Sequence, residues 1–244
     1  RPPDDILREV ALLRERGYRE ITLLGQTVNS YGRKLDPPVS FATLLRRIDR
    51  LVAKGMRVRF TTAHHKDVKT DLIEALASLP SVCEHVHLPV QAGAGRTLQR
   101  MERGYTREEY LKKVCALRKA IPDLAVTTDI IVGFPGESES DFSDTLSLMR
   151  EVAFDASFAF KFSPRPKTPA ALLTDQVPES LQAQRLAQVL ALQDELSLRK
   201  NLTMIGQTVE VLVDRKLSKR DSGLAAGRTR KNKIVHFGGG VVQE

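Results

Sequence analysis

Strand-like and helix-like segments alternate along most of this chain, and that alternation limits its fold more than any other feature. Short apolar runs read as strands at residues 20–24, 57–61, 85–89, 124–132 and 155–162. Helical patterns lie between them. Leu7, Val10 and Leu13 share one face of a helix over 4–16, and Ser40 is placed to cap a helix reaching Lys54. A third helix spans 71–79. Thr106 with Glu109 forms a capping box for a helix ending near Pro122, Ser138 and Asp141 open another, and a long amphipathic helix covers about 178–200. Strands alternating with helices of this length imply parallel βαβ units and an α/β fold. Five such units fit a curved or partial (β/α) barrel, or an open doubly wound sheet. In either, function belongs in the loops that follow the carboxyl ends of the strands.

The pattern changes near residue 205. Residues 207–215 alternate like a strand, and 223–227 and 233–237 follow as short β runs, the start of a small all-β barrel that breaks off at 238–244. The reading therefore divides the chain into 1–204 and 205–244. Formal net charge is +8, and residues 206–244 carry eight Lys or Arg against four Asp or Glu. A polyanion suits that surface. No stretch approaches the roughly 18 apolar residues of a membrane span, and the first residues lack the apolar core of a signal peptide, so the expected location is cytoplasmic and no membrane partner is expected. Cys83 and Cys115 stand far apart and form no zinc or disulfide pattern; they read as two buried thiols.

Polar residues gather after each strand: Gly25 to Gly32, Thr61 to Asp67, Pro89 to Gly93, Gly133 to Glu137, and Ser163 to Pro166. Glycines admit a ligand close to the backbone, and amides beside them can hydrogen-bond it. Five such loops at one end of successive strands point to a ligand site. His64, His65, His85 and His87 are the residues a metal would use, but structural or loop roles are favoured for all four. Asp129 reads either as a hydrogen-bond partner behind the site or as a strand-end cap.

These loops carry a resemblance. Leu23-Leu24-Gly25-Gln26-Thr27-Val28-Asn29-Ser30-Tyr31, Arg59-Phe60-Thr61-Thr62, His87-Leu88-Pro89-Val90-Gln91 and Arg103-Gly104-Tyr105-Thr106-Arg107-Glu108-Glu109-Tyr110 resemble the radical S-adenosylmethionine methylthiotransferases. So do Thr128-Asp129-Ile130-Ile131-Val132-Gly133-Phe134-Pro135-Gly136-Glu137 and the run from Phe160 to Pro169. The segment Gly25-Gln26-Thr27-Val28-Asn29 is similar to the MiaB branch, the tRNA-2-methylthio-N6-dimethylallyladenosine synthases.

The resemblance implies a partial radical-SAM-type barrel and a TRAM-like tail. It implies a transferase that adds a methylthio group to C2 of N6-isopentenyladenosine beside the anticodon of tRNA. Its cofactors would be S-adenosyl-L-methionine and two [4Fe-4S] clusters, with an electron donor to reduce them; a monomer is assumed. Gln26 and Asn29 would face the methionine moiety or the substrate base, Gln91 the ribose, and Ile131, Val132 and Gly133 the adenine. Pro164 and Arg165 would close the pocket near the adenine or the RNA. Lys216, Lys219, Arg220, Arg228 and Arg230 would neutralise phosphates.

This sequence departs from the family pattern in three ways. Thr27 stands where Asn is usual, and Ala92 and Ala94 replace hydroxyl residues, which would remove hydrogen bonds of roughly 0.5–1.5 kcal/mol each. The family's C-x-x-x-C-x-x-C cluster loop is not found, and the opening Arg1-Pro2-Pro3 resembles the segment that follows it. The chain is thus expected to be a fragment, inactive alone, of an active parent; the alternative is a catalytically inert RNA-binding remnant. No catalytic residue and no metal ligand is assigned within it.

Overall fold

A computed structural model describes residues 1–52, 55–61, 64–214 and 224–238. Strand β1 (Glu20–Leu23) pairs in parallel with β2 (Arg57–Phe60), Glu20 opposite Arg57 and Leu23 opposite Phe60. Strands β3 (His85–His87), β4 (Ala125–Val132) and β5 (Ala156–Lys161) form a second parallel sheet in that order. A single bridge, Val58 to Val82, joins the two. Strand order follows chain order with no reversal. A doubly wound sheet reverses at a switch point, so the order is that of part of a (β/α) barrel.

Six helices follow the expected alternation: α1 (Pro3–Glu15), α2 (Phe41–Val52), α3 (Thr70–Ser78), α5 (Arg107–Ala120), α6 (Glu139–Val152) and α7 (Glu179–Leu202). A short helix α4 (Gly95–Arg100) lies between β3 and α5, where the sequence reading has none. The capping boxes at Thr106–Glu109 and Ser138–Asp141 are both formed, and Ser40 accepts the amide of Thr43 at the head of α2. On β4, Val126, Thr128, Ile130 and Val132 are fully buried. Neighbouring positions in a strand face opposite ways, so Asp129 and Ile131 face the other side. There they lie in register with Phe158 and Phe160 of β5, which are 57% and 55% exposed. One face of the sheet is therefore packed, and the other is an open aromatic surface.

The tail is an antiparallel sheet of β6 (Val211–Val213), β7 (Leu224–Thr229) and β8 (Ile234–Gly238). The expected strand from 207 is shorter than read, since residues 207–210 join no ladder. Lys216, Lys219 and Arg220, together with the break expected at the end of the chain, lie outside the described residues.

Two buried arginines attach this sheet to the barrel. Arg57 donates to the Arg228 carbonyl at 2.8 Å and to the Glu210 carboxylate at 2.5 Å. Arg59 donates to the carbonyls of Thr229 and Arg230 at 2.7 and 2.8 Å. A strand with arginines at alternate positions is an odd core strand until these partners are seen. The acceptors satisfy charges that burial would otherwise penalise by several kcal/mol.

Candidate functional site

A cavity of about 750 Å³ opens at the carboxyl ends of β3, β4 and β5. Gln91, Asp129, Ile131, Phe134 and Phe160 line it, with Arg103 and Arg165 among its cations. Gln91 has φ of 72°, a left-handed conformation that costs a non-glycine residue on the order of 1–3 kcal/mol. Two hydrogen bonds to β4 hold it there: its amide donates to the Asp129 carbonyl at 2.9 Å, and its carbonyl accepts the Ile131 amide at 2.8 Å. The sheet is thereby extended to the cavity edge, where Gln91 and Asp129 both line the wall.

The β4 turn is fixed from behind. Gly133 has φ of 71° and donates its amide to the Glu137 carboxylate at 3.1 Å. Glu137 also accepts Arg185 of α7 at 2.8 Å, their side chains 1% and 3% exposed. Burial pushes the Glu137 carboxyl above its usual range, outweighing the opposing bonds from the Gly133 amide and Arg185. The β3 loop is fixed by contact: Gly93 donates to the Thr145 hydroxyl at 3.0 Å, and a β-carbon there would lie 2.4 Å from the Thr145 α-carbon. Gly93 is required by space, and Gly133 by its left-handed backbone.

The expected ligand residues divide. Gln91, Ile131 and Arg165 line the cavity. Val132 is fully buried on the opposite face of β4, as strand alternation requires, and so does not reach a ligand. Gly133 shapes the turn, and Pro164 is exposed between Ser163 and Arg165, which line the cavity. Asn29 is buried, its amide group bonding both ways with the His64 backbone, at 2.7 and 2.9 Å. It ties the β1 loop to the β2 loop instead of presenting a free amide. Gln26 is exposed in the β1 loop, away from this cavity. Ala92 and Ala94 are 1% exposed, their side chains packing inward, and neither lines this cavity.

Sequence reading missed Arg103, Phe134 and Phe160 as lining residues. All three stand inside motifs that were read, but only the fold shows which way each faces. Arg103 Nε is buried without a hydrogen-bond partner among the described residues. Arg100, by contrast, is held by Asp175 and the Pro135 carbonyl.

A second cavity, of about 860 Å³, lies between the barrel interior and the tail sheet. His85, His87, Thr127 and Phe158 face it from the barrel, and Arg228, Lys231 and Lys233 from the tail. Arg228 touches Asn232 at 3.3 Å, and Lys231 pairs with Asp123. Arg230 is not free for phosphate: it grips both oxygens of Glu84 at 2.8 Å and the carbonyls of Pro80 and Val82. Its side chain serves the barrel–tail junction.

The donor set does not fit an iron–sulfur cluster, which is held mainly by cysteine thiolates. Cys83 is buried, and that burial pushes its thiol up. Cys115 is exposed, contrary to the expectation of two buried thiols, because it sits beside inward-facing Val114 on the outer side of α5. Among the described residues no group of three or more His, Cys, Asp or Glu could hold a metal ion. His64 caps the 3-10 turn that follows it, and His65 packs on Tyr105, ring centres 3.8 Å apart.

Fold and cavity together define a parallel α/β protein with a cavity at the strand carboxyl ends. The chain belongs to the radical SAM superfamily, whose family model matches residues 1–149. It is 50% identical over 240 residues to a tRNA-2-methylthio-N(6)-dimethylallyladenosine synthase of a Thermoanaerobacter species, covering 98% of this chain and 50% of that protein. A protein of the same name from Syntrophobacter fumaroxidans is 50% identical over 237 residues, covering 97% of this chain and 52% of its own length. The chain thus spans about half the length of the curated relatives it matches. Coproporphyrinogen III oxidase (HemN) of Escherichia coli shares the fold with a TM-score of 0.57 at 15% identity, over 79% of this chain and 45% of that one. The methyltransferase TsrM of Kitasatospora setae does so with a TM-score of 0.56 at 16% identity, over 70% and 33%.

Proposed function

We propose that this chain is the barrel and tail of a tRNA methylthiotransferase that places a methylthio group on C2 of N6-isopentenyladenosine beside the anticodon. The observation that carries the reading is the upper cavity, built at the strand carboxyl ends of a chain that is 50% identical over 240 residues to a relative of that name. Its volume lies within the roughly 300–1,000 Å³ of small-ligand sites. Apolar walls, the carboxylates of Asp129 and Glu102, and an arginine whose Nε has no hydrogen-bond partner among the described residues suit a nucleoside such as that of S-adenosylmethionine.

In this reading S-adenosylmethionine and two [4Fe-4S] clusters supply the radical and sulfur chemistry, the clusters held by residues outside this chain. The chain's own residues bind and orient. Gln91 and Ile131 offer their polar and apolar groups along the cavity edge. The turn at Gly133, braced by Glu137 and Arg185, fixes the floor. Arg165 stands at the mouth, where a substrate phosphate would approach. The tail, read as a TRAM-like domain from 205, would meet tRNA through Lys216, Lys219, Arg220 and Arg228. Cytoplasmic location, a monomer and an external electron donor belong to the same reading; no helix among the described residues is long and apolar enough to cross a membrane.

The test compares the chain alone with the chain extended by its upstream reading frame, both reconstituted anaerobically with iron and sulfide. Iron retention and 5′-deoxyadenosine release by the extended form only support the proposal. If neither form retains iron or cleaves S-adenosylmethionine, the enzyme reading fails and an inert RNA-binding remnant takes its place.

A further inference from the structure

The partition between the two cavities is a row of polar side chains whose hydrogen bonds can be assigned a direction. The Thr127 hydroxyl lies 3.1 Å from His85 Nε2 and 3.0 Å from His87 Nδ1. His87 Nε2 lies 3.4 Å from an oxygen of Asp129. A hydroxyl has one proton to donate, and an ionised carboxylate only accepts. The tautomer with its hydrogen on His87 Nε2 is the one that presents a donor to Asp129. In the neutral ring Nδ1 is then an acceptor and takes the Thr127 proton, so the Thr127 oxygen accepts from His85 Nε2. In that tautomer the two hydrogen bonds at Thr127 run towards His87, which faces Asp129. Burial keeps His85 uncharged, its pKa lowered to about 4, with Arg59 and His87 acting in the same direction. Phe158 packs edge-on against His87, ring centres 5.9 Å apart, and confines the ring.

The row ends on a carboxylate that lines the upper cavity. Asp129 is in register with Phe158, two residue pairs before Ile131 and Phe160 and on the same face, so an acceptor lies beside an apolar surface. Its side chain is 30% exposed, leaving oxygen lone pairs for a ligand N–H.

We propose that Asp129 accepts a hydrogen bond from the exocyclic amine of an adenine held in the upper cavity, and that His87, backed by Thr127 and His85, is the positioning residue that fixes its carboxylate. This rests on the reading of that cavity as a nucleoside site. The adenine belongs either to the cofactor or to the RNA, and the chemistry recognised is the same.

Calorimetric titration of this chain with S-adenosylhomocysteine, and separately with an anticodon-arm RNA carrying adenosine beside the anticodon, tests the proposal. Asp129→Asn is expected to weaken one of the two by about tenfold, the effect of losing a hydrogen bond to a charged group. Which ligand weakens tells which adenine sits there. His87→Ala should weaken the same ligand, and His87→Gln, which restores an N–H near Nε2, should recover part of it. Nitrogen-15 spectra should show His87 protonated at Nε2 in the parent and a tautomer mixture in Thr127→Val. Binding of both ligands unaffected by Asp129→Asn, or His87 protonated only at Nδ1, overturns the proposal while leaving the nucleoside site intact. Failure of the unsubstituted chain to bind either ligand overturns both.

Discussion

Arg59 holds Arg230 by its backbone while Arg230 holds Glu84 by its side chain. The first bond runs from the barrel to the tail at 2.8 Å, the second from the tail back to the barrel as a two-pronged ion pair. Burial alone would raise the Glu84 carboxyl, but the hydrogen bond and charge of Arg230, a backbone hydrogen bond and the charge of Lys231 together outweigh it and hold the group below its usual range. Two anchors in opposite directions make the tail sheet part of the barrel's own packing.

Arg230→Ala should therefore do more than remove a surface charge. Losing the paired guanidinium and its two carbonyl contacts is expected to cost about 1–3 kcal/mol. Arg230→Lys should recover little, because an ammonium cannot reproduce the planar fork. Urea unfolding measures the cost, and limited proteolysis should show faster cleavage within 206–238. An unchanged midpoint with an unchanged cleavage pattern would show that the interlock contributes nothing.

Glu137 and Arg185 form the most enclosed ion pair behind the upper cavity. Glu137→Gln keeps an oxygen for the Gly133 amide and the backbone carbonyl that Arg185 bonds, but leaves Glu139, whose side chain is 79% exposed, as the carboxylate paired with Arg185. Breaking a buried pair costs up to about 3–5 kcal/mol, less here for the contacts that remain. The substitution should lower the unfolding midpoint accordingly and weaken S-adenosylhomocysteine binding, since the turn at Gly133 loses its brace. Normal stability would mean that Glu139 or solvent neutralises Arg185 adequately.

Much of this was legible in the sequence, for reasons that can be named. Thr106 with Glu109 and Ser138 with Asp141 announce helix starts because capping chemistry is local. The β4 run from Ala125 to Val132 announces itself because a strand packed on one side is β-branched and apolar. Helix α4 was not legible: six residues opened by Ala94, with no capping side chain, carry no periodic signal. The facing of site residues was partly hidden as well. Ile131 and Val132 sit in one motif, yet strand alternation sends the first to the cavity and the second to the core. Asn29 shows the same limit, since its partner is the backbone of His64, which the sequence places 35 residues away. Arg57 and Arg59 look like misplaced surface residues until the tail folds over them, a contact 171 residues distant in the chain.

Gly93 tests whether the β3 loop is set by conformation or by space. An added β-carbon would lie 2.4 Å from the Thr145 α-carbon and 2.5 Å from the Asp144 carbonyl oxygen, both backbone atoms of α6. Backbone cannot step aside as a side-chain tip can, so Gly93→Ala should cost at least the roughly 1–3 kcal/mol of overpacking. Gly133→Ala meets chiefly Gln182, a flexible side chain, although its positive φ adds strain. Comparing their unfolding midpoints checks the argument: an equal or smaller loss at Gly93 would mean that α6 yields.

His85 should make stability fall on the acid side of neutrality. Its folded pKa is lowered to about 4 from 6.5, chiefly by burial, so below about pH 6.5 the unfolded chain binds a proton that the folded chain refuses. The contribution is complete above 6.5 and declines as pH falls towards 4, with a limiting slope of about 1.4 kcal/mol per pH unit for one proton. His65, also lowered to about 4 by burial against Tyr105, acts in the same direction. The two separate by difference: His85→Gln removes one titration and leaves the other, so the gap between parent and variant should narrow as pH drops from 7 to 5. Denaturant titrations across that range supply the test, and a constant gap would mean that His85 takes up its proton in the folded protein as readily as in the unfolded one.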